Sequence, residues 1–315
     1  MQNTAGQAAL SAARRKTRRL LTLSIAGLPV MLACVGHLVE TTTLSRERDE
    51  FPAKGKLITV GDSNWHLYCT GEPSSLPPLL LEAGLGDSSA NWSDVQTELS
   101  ADRRVCSYDR LGYGWSSPAR GDRIATQEAG ELAAVISAAR EVGPFIVVAH
   151  SMGALIAREF AAAYPEFVHG LVLLDPTNEK TLADASAVAL SATGLQVVAS
   201  SVGLTRPFVR EQLRADAQGP LPRQVEQQAG FLYRYDALGT SFAELQAASS
   251  EVAAIDVPTV VVFAADVGRA DRAHYASLGD DITIVVAKTT AHYIQYADLD
   301  TVRGALTTLD LASSG

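Results

Sequence analysis

Four short apolar runs alternate with stretches of helical spacing along this chain, and that alternation restricts the fold more than any other feature. The runs are "PPLLLEAG" (Pro77–Gly84), "RRVCSYD" (Arg103–Asp109), "PFIVVA" (Pro144–Ala149) and "HGLVLLD" (His169–Asp175). Each is short and bounded by turn residues, as expected of strands covered on both faces. Between them, "SANWSDVQTELS", "TQEAGELAAVISAAREV" and "MGALIAREFAAAYP" space their apolar residues as helices do. Strand–helix alternation of this kind builds an α/β domain around a mostly parallel sheet with helices on both faces. Ahead of it, "KLITV" and "WHLYCT" flank "GDSN" and read as a hairpin. The rhythm breaks over residues 176–256, which are rich in Ala, Ser and Gln, and resumes with "VPTVVVFAAD", "DITIVVAK" and a closing helix around "DLDTVRGALTTLDL". A break of that length is too long for an ordinary connection. It reads as a helical lid over the carboxyl ends of the strands, where open parallel sheets bind ligands. Phe208, Phe231, Tyr233, Tyr235 and Phe242 could line a pocket beneath it or pack the lid on itself.

The amino-terminal part has a different character. Residues 1–19 contain Arg14, Arg15, Lys16, Arg18 and Arg19 and no acid, and Leu20–Val39 is twenty residues without a formal charge. That is about the length needed to cross a bilayer core. The basic cluster in front of it predicts a cytoplasmic amino terminus and an extracytoplasmic remainder. The expectation is a transmembrane anchor over 20–39, with a signal peptide cleaved after export as the alternative. Residues 40–55, polar and ending in Pro52 and Gly55, read as a linker to a domain over 56–315. The whole chain carries a formal charge of −9 in spite of the basic end. Such an acidic body argues against a nucleic-acid partner.

The chemistry-bearing candidates lie at the strand ends. "VVAHSMGA" (Val147–Ala154) puts Ser151 between a strand and a helix, the context of a nucleophile elbow. Ala149 stands at the first glycine position of G-x-S-x-G, and Gly153 keeps the second. A serine hydroxyl needs a base, and of the six histidines only His292 occupies a loop on the same sheet edge, after the last strand. The imidazole in turn needs an acid. Asp175 ends the strand after the nucleophile helix, and Asp266 ends the next one. Asp175 is preferred because "AADV" brings Asp266 one residue early, but Asp266 stays open as the alternative. Charge on an acyl-transfer intermediate calls for two backbone N–H donors. Met152, after the serine, supplies one, and Leu85, in the turn "LEAGLGDSS", supplies the other. No Cys/His spacing suggests a metal, and no motif suggests a cofactor.

Taken in order, "LEAGLG", "YDRLGYGWS", "VVAHSMGA", "LVLLDPT" and "TTAHYIQ" make residues 55–311 resemble the α/β-hydrolase superfamily, and within it a bacterial group of membrane-anchored or exported hydrolases. The resemblance implies an eight-stranded, mostly parallel sheet and a Ser–His–Asp triad. It also implies hydrolysis of a small or medium, largely apolar carboxylic ester, with no cofactor. Amide, lactone or C–C cleavage, perhydrolysis, and a non-catalytic binding protein of the same fold are the alternatives. "YDRLGYGWS" (Tyr108–Ser116) matches a structural turn of the family and is assigned no chemistry. Ala83 replaces a histidine common before the oxyanion-loop glycine. In the family's strand order the second and fourth strands are neighbours, so the resemblance pairs Cys69 with Cys106 as a disulfide.

Overall fold

The computed structural model describes residues 28, 30–119, 123–180, 195–217, 221–234, 237, 239–240, 244 and 252–312. Its centre is an eight-stranded sheet. In chain order the strands are β1 (Lys56–Val60), β2 (Ser63–Thr70), β3 (Leu79–Glu82), β4 (Val105–Tyr108), β5 (Phe145–His150), β6 (Val168–Leu174), β7 (Thr259–Phe263) and β8 (Ile282–Val286). They lie in the spatial order β1-β2-β4-β3-β5-β6-β7-β8. The two contacts made by β2 are antiparallel, and all the others are parallel. Gly61, at φ +59°, opens the two-residue turn between β1 and β2, a position where a side chain would be strained.

The central strands are buried along their whole length: β3, β4 and β5 contain no exposed residue. Alternation along β5 divides its side chains between two cores. Phe145, Val147 and Ala149 join the core on one face, and Ile146 and Val148 join the other. On the first face lie the helices Ala125–Ala139 and Gly153–Ala163, through Leu132, Ile136, Ala157 and Phe160. On the second lie Ser93–Leu99 and the closing helix Leu299–Ala312, through Val95, Val302, Leu306 and Leu309. The apolar runs are continuous in sequence because each strand feeds both layers.

The segment between β6 and β7 contains the helices Val209–Ala217 and Arg223–Leu232 and seats on the loops after β3 and β4. Phe231 and Tyr233 pack there with Ala90 and Trp115, whereas Phe208 is exposed. Tyr235 and Phe242 lie outside the described residues.

The amino-terminal expectations meet the structure only in part. Residues 1–27 and 29, and with them the basic cluster and the first part of the predicted anchor, lie outside the described residues. Residues 30–50 form one helix, and among the described residues no helix is long and apolar enough to cross a membrane. The expected linker is therefore helical as far as residue 50. "TTTLSRERDE" has no Gly or Pro to stop a helix, and the Thr41, Thr42 and Thr43 hydroxyls bond back to carbonyls one turn earlier. That helix is docked on the lid. Arg206 forks onto Glu40 (2.8 Å) and Glu47 (2.7 Å), and His37 Nδ1 meets the Ser201 carbonyl at 3.0 Å.

Cys69 and Cys106 face each other in the antiparallel register of β2 and β4 and are joined by a disulfide. The bridge spans a sequence separation of 37 residues. Replacing both cysteines by serine should lower unfolding free energy by about 2–4 kcal/mol in a denaturant titration. An unchanged midpoint under oxidising conditions would show that the bridge does not form.

Candidate active site

Ser151 occupies the turn between β5 and the helix Gly153–Ala163 with φ +52°, a left-handed backbone that a serine adopts only under constraint. The constraint comes from three backbone hydrogen bonds. Ser151 N–H donates to the Leu174 carbonyl (3.0 Å), and Ser151 C=O accepts from Ala154 (3.1 Å) and Thr177 (3.2 Å). Gly153 is required at the close approach of helix and strand, since a Cβ there would sit 2.5 Å from the Ala83 carbonyl. Ala149 raises no such conflict. Its methyl is fully buried in the core of one sheet face, which is why alanine serves at the first motif position.

Three side chains meet in a hydrogen-bonded chain. His292 Nε2 lies 3.0 Å from Ser151 Oγ, and His292 Nδ1 lies 2.6 Å from Asp175 Oδ2. With Nδ1–H donated to the carboxylate, Nε2 offers its lone pair to the serine hydroxyl. Asp175, at φ +41°, is fixed through its own N–H on the Val262 carbonyl (2.7 Å), and its Oδ1 accepts the Ala264 N–H at 3.1 Å. Of the two candidate acids the structure brings only Asp175 to His292. Asp266 is exposed two residues further along and is not a hydrogen-bond partner of the imidazole. Leu85 and Met152 lie on the loop after β3 and just after the serine. Neither backbone N–H is consumed by a hydrogen bond among the described residues. Gly84 abuts the serine, a Cβ there falling 3.3 Å from Ser151 Cβ.

A second polar group, which the sequence reading does not single out, backs this arrangement. Asp87, buried behind the glycine turn, accepts at Oδ1 from Asn91 (2.8 Å), from the lid hydroxyl of Tyr233 (2.7 Å) and from Tyr293 (3.2 Å). His150 donates from Nε2 to the His292 carbonyl at 3.0 Å, and its ring lies tilted against the His292 ring with centroids 4.6 Å apart. Its Nδ1 is buried and lies 3.8 Å from Asp87 Oδ2, beyond hydrogen-bond reach, and has no partner among the described residues. Burial holds the His150 imidazole below its usual range, which keeps it neutral beside His292. The signal for this group in the sequence is weak, an aspartate after Gly86 and a histidine before Ser151. Thr177 Oγ1 also stands 3.4 Å from Ser151 Oγ.

The stretch Tyr108–Ser116 does more than turn the chain. Arg110 sits in a buried cluster with Glu82, Glu128 and Glu244, joined by Arg123. Burial, then the Glu244 charge, pushes the Glu128 carboxyl well above its ordinary value, and burial also raises Glu82. An acid whose affinity for its proton rises on folding stabilises the fold below its unfolded value and loses that contribution as pH rises toward its folded value. The melting temperature of the wild type should therefore fall relative to Glu128→Gln as pH is raised above 4.5. Parallel curves for the two proteins would mean that Glu128 does not hold its proton.

Cys69, Cys106 and Glu141 form a grouping of metal-ligating residue types among the described residues, but both sulfurs are spent in the disulfide.

Residues 77–266 match the alpha/beta hydrolase fold family, and the chain belongs to it. Among curated relatives, a 1-acylglycerol-3-phosphate O-acyltransferase from Rattus norvegicus is 32% identical over 122 residues, which cover 38% of this chain and 35% of that protein. A (lyso)-N-acylphosphatidylethanolamine lipase from Mus musculus is 28% identical over 174 residues, covering 54% and 51%. The chain thus spans about a third to a half of the length of these relatives. Among solved structures, a hydrolase from Pseudomonas aeruginosa PA01 superposes with a TM-score of 0.66 at 16% identity, covering 82% of this chain and 99% of that one. That likeness is one of fold.

Proposed function

We propose that the chain is a serine hydrolase that cleaves carboxylic esters with apolar acyl groups through an acyl-enzyme. The observation that carries this reading is the unbroken path Asp175–His292–Ser151, with separations of 2.6 and 3.0 Å. In the reaction, Ser151 Oγ attacks the ester carbonyl carbon as its proton passes to His292 Nε2. Asp175 holds the tautomer that makes Nε2 the acceptor and stabilises the imidazolium. The oxygen of the tetrahedral intermediate takes hydrogen bonds from Leu85 and Met152 N–H. His292 then protonates the departing alkoxide. Water attacks the acyl-enzyme in the same way, releasing the acid and restoring Ser151. His292 is 43% exposed as a side chain, which gives that water access.

The names of the relatives, an acyltransferase and a lipase, support acyl-ester chemistry over the other reactions of the fold. Membrane attachment through the amino-terminal segment fits the same reading. Between residues 28 and 39, Leu28, Val30, Leu32, Leu38 and Val39 are exposed, as are Leu204 and Phe208 of the lid, and the segment Leu20–Val39 carries no formal charge.

A fluorophosphonate probe tests the proposal on the full chain. The wild type should be labelled and should hydrolyse p-nitrophenyl esters, and Ser151→Ala should lose both. A wild-type protein that takes no label would instead support a binding protein of this fold.

A further inference from the structure

Arg110 lies outside the Ser151–His292–Asp175 path, yet every nitrogen of its guanidinium is engaged. Nη1 donates to Glu82 Oε1 (2.5 Å) and to the Ala83 carbonyl (2.6 Å). Nη2 donates to the Gly84 carbonyl (2.9 Å) and to Glu244 Oε2 (3.4 Å), and Nε donates to Glu244 Oε1 (3.1 Å). Both carboxylates are fixed in turn. The Tyr108 hydroxyl donates to Glu82, and the Tyr113 hydroxyl donates to Glu244 Oε2 at 2.7 Å. One planar side chain therefore joins the end of β3, the first peptides of the loop after it, and a residue of the lid 134 positions away.

The peptide it holds is the one that matters for chemistry. In a trans peptide, C=O and N–H point in opposite directions. The Gly84–Leu85 unit is trans, Gly143–Pro144 being the cis bond among the described residues. Its oxygen is turned onto Arg110, with a longer contact from Asp87 N–H at 3.3 Å. The Leu85 N–H of the same unit therefore faces away from Arg110. Without that grip only the longer Asp87 contact opposes a peptide flip at glycine, whose backbone has no Cβ to restrict it. A flipped unit would present a carbonyl dipole where a developing oxyanion needs a donor.

We propose that Arg110 is a positioning residue that fixes the Gly84–Leu85 peptide with its N–H toward Ser151, and that the lid's Glu244 clamps Arg110 in that pose. Seating of the lid and competence of the oxyanion site then become one mechanical state. The proposal rests on the acyl-transfer reading above for its kinetic consequence, but not for the peptide's orientation. Lysine cannot substitute, because a point ammonium cannot span two carbonyls and two carboxylates as the planar fork does.

The test compares wild type, Arg110→Lys and Glu244→Gln as full chains with confirmed native circular dichroism. Three readouts are taken: kcat and KM on a p-nitrophenyl ester, affinity for a trifluoromethyl ketone that forms a tetrahedral serine adduct, and the amide signal and hydrogen exchange of Leu85 by NMR. In Arg110→Lys, kcat should fall on the order of 10²-fold, as expected for loss of one oxyanion donor. Ketone affinity should fall by a similar factor while KM moves less than about threefold, the pattern of an interaction made only in the transition state. Glu244→Gln should give the same pattern at about tenfold, and it decides the matter if Arg110→Lys does not fold. The Leu85 amide should shift in both variants. Wild-type kcat in a folded variant, equal losses in substrate and ketone binding, or an unmoved Leu85 amide would overturn the proposal. If the wild type neither turns over ester nor binds the ketone, the acyl-transfer reading fails, and the Leu85 amide alone still decides whether Arg110 holds the peptide.

Discussion

Asp175→Asn should lower ester turnover by about 10⁴-fold, as loss of the orienting carboxylate does in a serine protease, while Asp266→Asn should leave it within about twofold. The large effect follows from a proton count. In the proposed reaction, Nδ1–H of His292 donates to Asp175 over 2.6 Å, so Nε2 carries the lone pair that takes the Ser151 proton. An asparagine amide in the same place offers an N–H₂ as readily as a carbonyl. It can stabilise the tautomer with the proton on Nε2, where the base is blocked. Asp266 is exposed and is not a hydrogen-bond partner of the imidazole, so neutralising it changes only a solvent-screened charge. The comparison is read from kcat on one ester at one fixed pH. Similar small losses in both variants would remove Asp175 from the mechanism and with it the proton path.

The second large effect is expected at a residue with no side chain. Gly153→Ala places a methyl 2.5 Å from the Ala83 carbonyl and 2.9 Å from Glu82 Cγ. Neither can yield easily, because Glu82 is pinned by Arg110 and Ala83 is buried just after β3, its carbonyl also held by Arg110. The helix behind Ser151 must therefore move. Overpacking of this kind costs about 1–3 kcal/mol. A shift near 1 Å of the serine from its base can cost about 10²-fold in rate. Gly304→Ala is the control, in an exposed helical position where the added carbon meets nothing within 4 Å. It should raise stability by up to about 1 kcal/mol, since glycine is a poor helix former. Equal behaviour of the two variants, in melting temperature and in kcat, would show that the elbow is not tightly packed.

These two residues illustrate what a reader of the sequence can find. Ser151, Asp175 and His292 each sit at the carboxyl end of a strand or in the loop that follows it, and Gly153 opens the helix after Ser151, so local pattern plus the rule for open sheets is enough to bring them to one edge. The strand alternation is legible for the same reason, because β3, β5 and β6 each bury both faces and write that as an unbroken apolar run. Arg110, Glu244, Asp87 and Tyr233 are a different case. Their partners are long-range, Glu244 lying 134 residues from Arg110 and Tyr233 lying 146 from Asp87. A charged residue in a sequence reads as surface until a tertiary partner cancels its desolvation cost. The helix over 30–50 was obscured by the same thing. From residue 40 on its polar composition reads as a linker, and Arg206, more than 150 residues away, turns Glu40 and Glu47 into a docking face.

That docking matters to anyone who shortens the protein. A version beginning at β1 would discard both carboxylates that grip Arg206, along with the Phe51 carbonyl that accepts the Trp115 indole N–H at 2.7 Å. The cover over the reaction centre would be left resting on fewer supports. A change in substrate range measured on such a trimmed protein would describe the trimming before it described the intact chain.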